Sequence, residues 1–439
     1  MKKILFIVLA SSSICFAQPK DEFKPEVKVG ATVFTGLEYN IDNAEFISKV
    51  DTSQPDANIP FGYKPAIHQF EVSKNSFYLE RAYINIRASL TPQITARVTP
   101  DIYSFTDGTG KTQYAYQVKF AYLTYTPVKT ESGLMLGFSL GVIPNIWIPV
   151  NERYYGYRGI AKTLTDFTWT TAAVRSGVNV SRTTASYFST ADLGFDAGLM
   201  LPKGLAEINV DIVNGNGFRN LTFDNRFKDL FISAFVHPLA SKISKKMDAL
   251  KKAKKERLEG TADVTIGGFG YIGKLDKGEN YTPNAVQYKR NRFGGMAFFR
   301  YNFKKAGFFK IGGEFSVQKN EDPASSKPDS LVETNARGIS GYLEFNPPVE
   351  QLGEKLSLLA RYDVFDPNTQ NSDASVTTFN NNTDKQAFLL LGLVYKPAKI
   401  LTLSINYQAL MYNQNYIVKY DGTTSKSDGK LLINGILDF

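Results

Sequence analysis

Side chains able to carry covalent or proton-transfer chemistry are scarce in this 439-residue chain, which holds two histidines and one cysteine. Cys15 lies in the N-terminal apolar segment, so beyond it no thiol is left for a disulfide, a cluster, a thiolate zinc site or a nucleophile. His68 falls in an expected loop and His237 stands at an expected strand end beside Pro238, neither paired with an obvious serine. A barrel hydrolase of the phospholipase kind needs a nucleophile, a base and usually calcium, so enzymatic chemistry is disfavoured. What the sequence does supply is fixed charge. Arg81, Asn85, Arg87, Arg97, Lys119, Arg175, Arg300, Lys310 and Arg361 fall on the polar faces of two-faced segments, and Asp101, Glu207, Asp211, Asp263, Glu314 and Asp363 share those faces. Such arrays attract, repel and guide ions without making or breaking bonds. Arg81, Arg87 and Arg97 stand on adjacent segments and would make a basic wall favouring anions. The alternative is that bases and acids neutralise one another across strands.

The elements carrying these charges alternate with period two. In Leu401-Thr402-Leu403-Ser404-Ile405-Asn406-Tyr407-Gln408-Ala409 every odd position is apolar and every even one polar, and residues 206–212 and 82–88 repeat the pattern. Sixteen strand-like segments follow: 26–44, 75–90, 93–106, 113–126, 134–144, 173–201, 204–213, 228–238, 260–273, 286–303, 308–319, 334–346, 355–365, 386–396, 400–412 and 431–439. Short connections such as Thr91-Pro92-Gln93 and Pro202-Lys203 alternate with long polar ones at 45–74, 145–172, 214–227, 274–285, 320–333, 366–385 and 413–430. That asymmetry is the one expected of a transmembrane antiparallel β-barrel with short periplasmic turns and long extracellular loops. Segment 173–201 holds two strand-like stretches; it is read as one long or interrupted strand, with eighteen strands as the alternative. The longest apolar run, Ala387 to Tyr395, is too short for a membrane helix but close to what a tilted spanning strand needs.

Residues 1–17 read as a cleaved secretory signal: Lys2 and Lys3, an apolar stretch, then Cys15-Phe16-Ala17 before Gln18. Residues 18–439 are expected to be one outer-membrane barrel of a Gram-negative bacterium, embedded in outer-membrane lipid. The 58 aromatic residues, including Phe77-Tyr78, Tyr122 with Tyr125, Tyr154-Tyr155 with Tyr157, and Phe299-Arg300-Tyr301, are expected at its rims. A terminal Phe439 on an alternating strand, with Leu437 two before it, resembles the signal that barrels present to the insertion machinery.

Two connections stand out. Segment 145–172 carries both tryptophans, Trp147 and Trp169, with Glu152, Arg153, Arg158, Lys162 and Asp166. That much apolar surface suits packing inside the barrel wall as a constriction loop rather than exposure. The other reading is an external lid or subunit contact. Segment 241–258 is strongly basic and helical in rhythm, falls where a short turn belongs, and reads as a solvated helical excursion on the periplasmic side. A periplasmic or subunit contact is its alternative, and no motif around its lysines points to nucleic acid.

The run Phe77-Tyr78-Leu79-Glu80-Arg81-Ala82-Tyr83-Ile84-Asn85-Ile86, then Arg97-Val98-Thr99-Pro100-Asp101, resembles the early strands of the phosphate-selective porin O/P family. Gly141 to Pro144, Glu152-Arg153, Arg175-Ser176-Gly177-Val178 and Asn214-Gly215-Asn216-Gly217 are similar to that family's central segments, and the resemblance is spread over residues 75–220. It implies a water-filled channel for passive diffusion of small hydrophilic solutes, with anions or phosphate preferred, no cofactor, and a homotrimer as the common assembly. A non-channel barrel used for adhesion or as a scaffold is the competing reading; it predicts a lumen plugged by loops.

Overall fold

Sixteen strands close on themselves. The computed structural model describes residues 23–439 except 43, 47–49, 56–62, 66–73, 107–111, 176–178, 186, 220–226, 253–257, 277–286, 325–326, 368, 370–384, 414–416 and 420–422. The barrel strands are β1 Glu26–Asn40, β2 Asn75–Ser89, β3 Ile94–Thr106, β4 Thr112–Lys129, β5 Met135–Pro144, β6 Ala191–Met200, β7 Ala206–Val213 and β8 Asp229–Val236. They continue with β9 Thr261–Asp276, β10 Gln287–Asn302, β11 Phe308–Ala324, β12 Lys327–Asn346, β13 Leu356–Asp366, β14 Gln386–Ala398, β15 Leu401–Tyr412 and β16 Ser427–Asp438. Every strand pairs antiparallel with its sequence neighbours, and β1 pairs with β16 to close the ring. Closure satisfies the backbone groups an open edge would leave bare. At the seam the Phe439 and Ala31 amides each donate to the other's carbonyl, at 3.0 and 2.7 Å.

Period two in the sequence becomes inside and outside. Along β8, Asp229, Phe231, Ser233 and Phe235 are buried, while Ile232 and Val236 are exposed outward. On β13, Ser357, Leu359, Arg361, Asp363 and Phe365 turn in; Leu358, Tyr362 and Val364 turn out. The outer wall is an apolar band that includes Ile208, Ile266, Ile311, Leu391 and Ile405. Among the described residues no helix is long and apolar enough to cross a membrane.

One register shift has a visible cause. Pro100 has no amide to donate, and the β3–β4 ladder slips there, so Lys119 is the unpaired bulge residue opposite Thr99 and Pro100.

Three expectations are corrected. Segment 173–201 is not one strand: only Ala191–Met200 joins the wall, while Trp169–Arg175 pairs with Asn179–Ala185 in a separate two-stranded sheet. The wall partner of Ala191 is Pro144, so everything from 145 to 190 is one insertion between β5 and β6. Segment 320–333 is not a loop, because β11 and β12 remain paired through Asn320–Thr334 and out to Pro323–Leu331. Tyr154, Tyr155 and Tyr157 are not rim residues: they belong to the insertion, and Tyr155 and Tyr157 are buried.

The basic segment does form a helix, α2 Ala240–Lys252, after the helix α1 Trp147–Tyr155 of the insertion. α2 leaves from the short-turn end of β8 and packs on the 202–204 turn and β9.

Candidate functional site

Gly141 marks where the chain prepares to leave the wall. Its φ of +129° is left-handed, and a Cβ there would collide with the Ala121 carbonyl on β4. Three residues later the insertion turns into the barrel. Trp147 on α1, fully buried, stacks 5.4 Å from Phe235 and meets Phe269 edge-on at 4.6 Å, both on inner faces of the wall. Trp169 stacks 4.9 Å from Phe365, and Tyr155 lies 5.1 Å from Tyr342. Each such ring removes on the order of 150–250 Å² from water, which supplies the free energy holding a polar-backboned segment inside the barrel.

Hydrogen bonds from the wall then fix the insertion's backbone. Lys310 on β11 donates to the Tyr155 carbonyl at 2.9 Å, Gln408 on β15 to the Ile160 carbonyl at 2.9 Å, and Arg361 on β13 to the Lys162 carbonyl. Buried Glu314 accepts from Trp147 Nε1 at 3.4 Å, Thr165 Oγ1 at 3.3 Å and the Asn151 amide. Glu344 on β12 accepts from the Tyr157 hydroxyl and pairs with Lys310.

The charges named from sequence divide into two kinds. Arg361 is held by Asp363 through an Nε–Oδ1 bond of 2.9 Å, Arg81 by Asp101 at 3.1 Å, and Arg300 faces Glu354 at 3.5 Å. These, with Lys310–Glu344, are neutralised pairs. Arg87 and Arg97 stand directly opposite each other across β2 and β3, and Lys28 is opposite Arg87 on the other side. Arg97 also donates to Asn85 at 3.0 Å. Six residues separate Arg87 from Arg81, about 20 Å along a strand, so the expected single cluster is two levels. Lys119 reaches the Tyr83 hydroxyl at 3.0 Å. Arg175 does not stand on the wall; its strand is the one outside the barrel sheet.

Within the insertion, Arg158 bridges Asp166 at 2.7 Å and Glu152. Burial works most strongly against its charge, but Asp166, Tyr83 and Glu80 together outweigh it and raise its pKa. Arg153 lies 3.5 Å from Glu207. His237 faces Thr265 Oγ1 at 2.8 Å, the Tyr154 hydroxyl at 3.2 Å and Glu207 at 3.5 Å, which ties α1 to the wall. His68 lies outside the described residues.

Between the insertion and the wall is a cavity of about 340 Å³, lined by Arg81, Arg158, Lys162, Asp166, Asp192 and Asp211 among others. It also shows cations that sequence reasoning missed: Arg219 after β7, and Arg290 and Arg292 on β10. The signal was present as Lys289-Arg290-Asn291-Arg292, whose two arginines share one face. Among the described residues no carboxylate lies at ion-pair distance from Lys162, Arg219, Arg290 or Arg292. Burial lowers the Lys162 pKa, with Asp166 opposing and Arg81 and Arg158 adding to the fall.

No family model matches the chain, and no curated protein matches it. Among solved structures, an anion-selective porin from Comamonas acidovorans is similar over 95% of this chain and 100% of its own, at 11% identity and a TM-score of 0.50. OprB of Pseudomonas putida aligns over 94% of this chain and 93% of its own, at 9% identity and TM-score 0.48. The outer membrane channel DcaP of Acinetobacter baumannii aligns over 97% and 100%, at 13% identity and TM-score 0.47. At these identities the likeness is one of fold, and the resemblance to the phosphate-selective family rests on the quoted motifs alone.

Proposed function

We propose that this chain is an outer-membrane porin conducting small hydrophilic solutes, with a preference for anions, phosphate among them. Residues 1–17 are removed on export, the short turns and both chain termini face the periplasm, the long loops face outward, and the insertion at 145–190 narrows the lumen. The wall supports the membrane setting, because its outer face is apolar where its inner face is charged. One observation carries the anion preference: among the described residues Lys162, Arg219, Arg290 and Arg292 line the cavity with no carboxylate at ion-pair distance, while its Asp166 is already bridged by Arg158. Unpaired cations in a low-dielectric wall raise the local concentration of anions.

Purified protein in planar bilayers is expected to give ohmic single-channel steps, with a reversal potential of anionic sign in a potassium chloride gradient. A cationic sign removes the preference and keeps the porin. The dense packing of the insertion against β8–β10 and β12–β15, with hydrogen bonds to β11, is what the adhesion or scaffold reading requires. Absence of any conductance selects that reading instead.

A further inference from the structure

The cavity beside the insertion is more than a charged passage, because its cations are backed by rings. Arg292 is buried with its guanidinium 5.3 Å from the Phe188 ring centroid and 5.0 Å from that of Tyr271. Its Nε–H has no hydrogen-bond partner among the described residues. Arg219, across the same cavity, lies 5.5 Å from the Tyr103 ring and 5.7 Å from the Phe218 ring. Rings held against a guanidinium fix its plane and leave the in-plane N–H fork free. A fork of this kind matches the two oxygens of a carboxylate.

The neighbours narrow the choice. Tyr187, Phe188, Phe231 and Tyr271 line the same space. Chloride needs only positive charge, and a fully hydrated anion gains nothing from an aromatic wall. The cavity's own acids are engaged or turned to one another: Asp166 binds Arg158, Asp192 accepts the Gly217 amide at 3.0 Å and the Leu193 amide at 2.7 Å, and Asp211 stands opposite Asp196. We infer that this cavity is a binding site for small aromatic carboxylates, with Arg292 gripping the carboxylate and the rings around Phe188 receiving the aromatic body. The site rests on the channel reading above and makes it substrate-selective: such solutes are held in transit.

The test uses the full chain in planar bilayers, with benzoate, acetate and inorganic phosphate each added on the long-loop side during chloride conduction. Benzoate is expected to interrupt the current in a saturable manner, with a half-blocking concentration about tenfold below that of acetate, the difference being burial of one ring. Arg292→Lys, which keeps charge and loses the fork, is expected to raise that concentration about tenfold. Phe188→Leu, which keeps every charge, is expected to bring benzoate close to acetate. Equal block by benzoate and acetate, or stronger block by phosphate, overturns the inference and leaves an anion-selective porin standing. A protein that gives no conductance removes the porin reading and this inference together.

Discussion

Charged residues of the inner wall and of the insertion carry different roles. Lys310 and Glu344 are both buried, paired with each other, and each also holds the insertion. Removing one partner strands the other charge in a poorly solvated place, so Lys310→Met is expected to cost about 3–5 kcal/mol, measured as a lower urea midpoint in micelles. The double variant Lys310→Met, Glu344→Leu should recover much of that loss, and a double variant no better than the single one would show that the pair is not the cause. Glu314 collects three donors from the insertion. Glu314→Ala should leave the barrel closed but free the insertion, seen as larger and noisier conductance steps. Lys162 provides a pH readout. Its pKa is lowered, chiefly by burial, so its charge is lost at lower pH than that of a free lysine. Anion selectivity should therefore fall as pH rises from neutral, and Lys162→Arg should hold it flat across the same range. An unchanged slope in that variant would place the titration elsewhere.

At the scale of elements, the insertion and α2 show different degrees of legibility. The two tryptophans and the paired charges of 145–172 announced an inward segment, because that much aromatic surface cannot stay in water at no cost. Its far boundary was hidden. Residues 173–185 alternate like wall strands, since pairing in a two-stranded sheet imposes the same period two as pairing in a barrel. Only the Pro144–Ala191 pairing shows that they belong to the insertion. For α2, a basic segment of helical rhythm, with Ile243, Met247 and Leu250 on one face, stood where a short turn belongs and pointed to a helix, and the structure adds its docking. Ile243 borders the short-turn mouth with Asp263 and Arg300. Replacing 240–258 by a short Gly-Asn turn should leave the barrel's resistance to unfolding in SDS unchanged while conductance rises. Loss of that resistance would instead make α2 part of the folding core.

The whole molecule is a closed wall with one folded-in segment, and its two surfaces meet different solvents. Leu390 and Leu391 are neighbours in sequence, yet Leu390 is fully buried inside while Leu391 is 49% exposed on the outer band. Leu391→Arg is expected to destabilise the barrel in lipid by about 2–4 kcal/mol, the cost of an arginine near mid-membrane on the outer face. Refolding in vesicles against urea measures it, and an unperturbed midpoint would contradict the membrane setting of that band.

Read without coordinates, the chain pointed to sixteen wall strands, with eighteen as the alternative, and to which face of most of them turns outward, because alternation and turn residues are local and the outer face has to be apolar throughout. The bounds around 173–201 and 320–333 came only from the pairing. The inner face escaped the same logic. The run Ala387 to Tyr395 is apolar on both faces, and its inner leucine makes sense only once the insertion packs nearby. Ion pairing was equally out of reach: Arg81 and Arg361 look like Arg290 and Arg292 in sequence, but the first two have a carboxylate at ion-pair distance and, among the described residues, the others do not. Which charges are neutralised depends on side chains brought together from strands far apart in the chain. That is settled by the closure of the barrel and the path of one insertion through it, not by any local pattern.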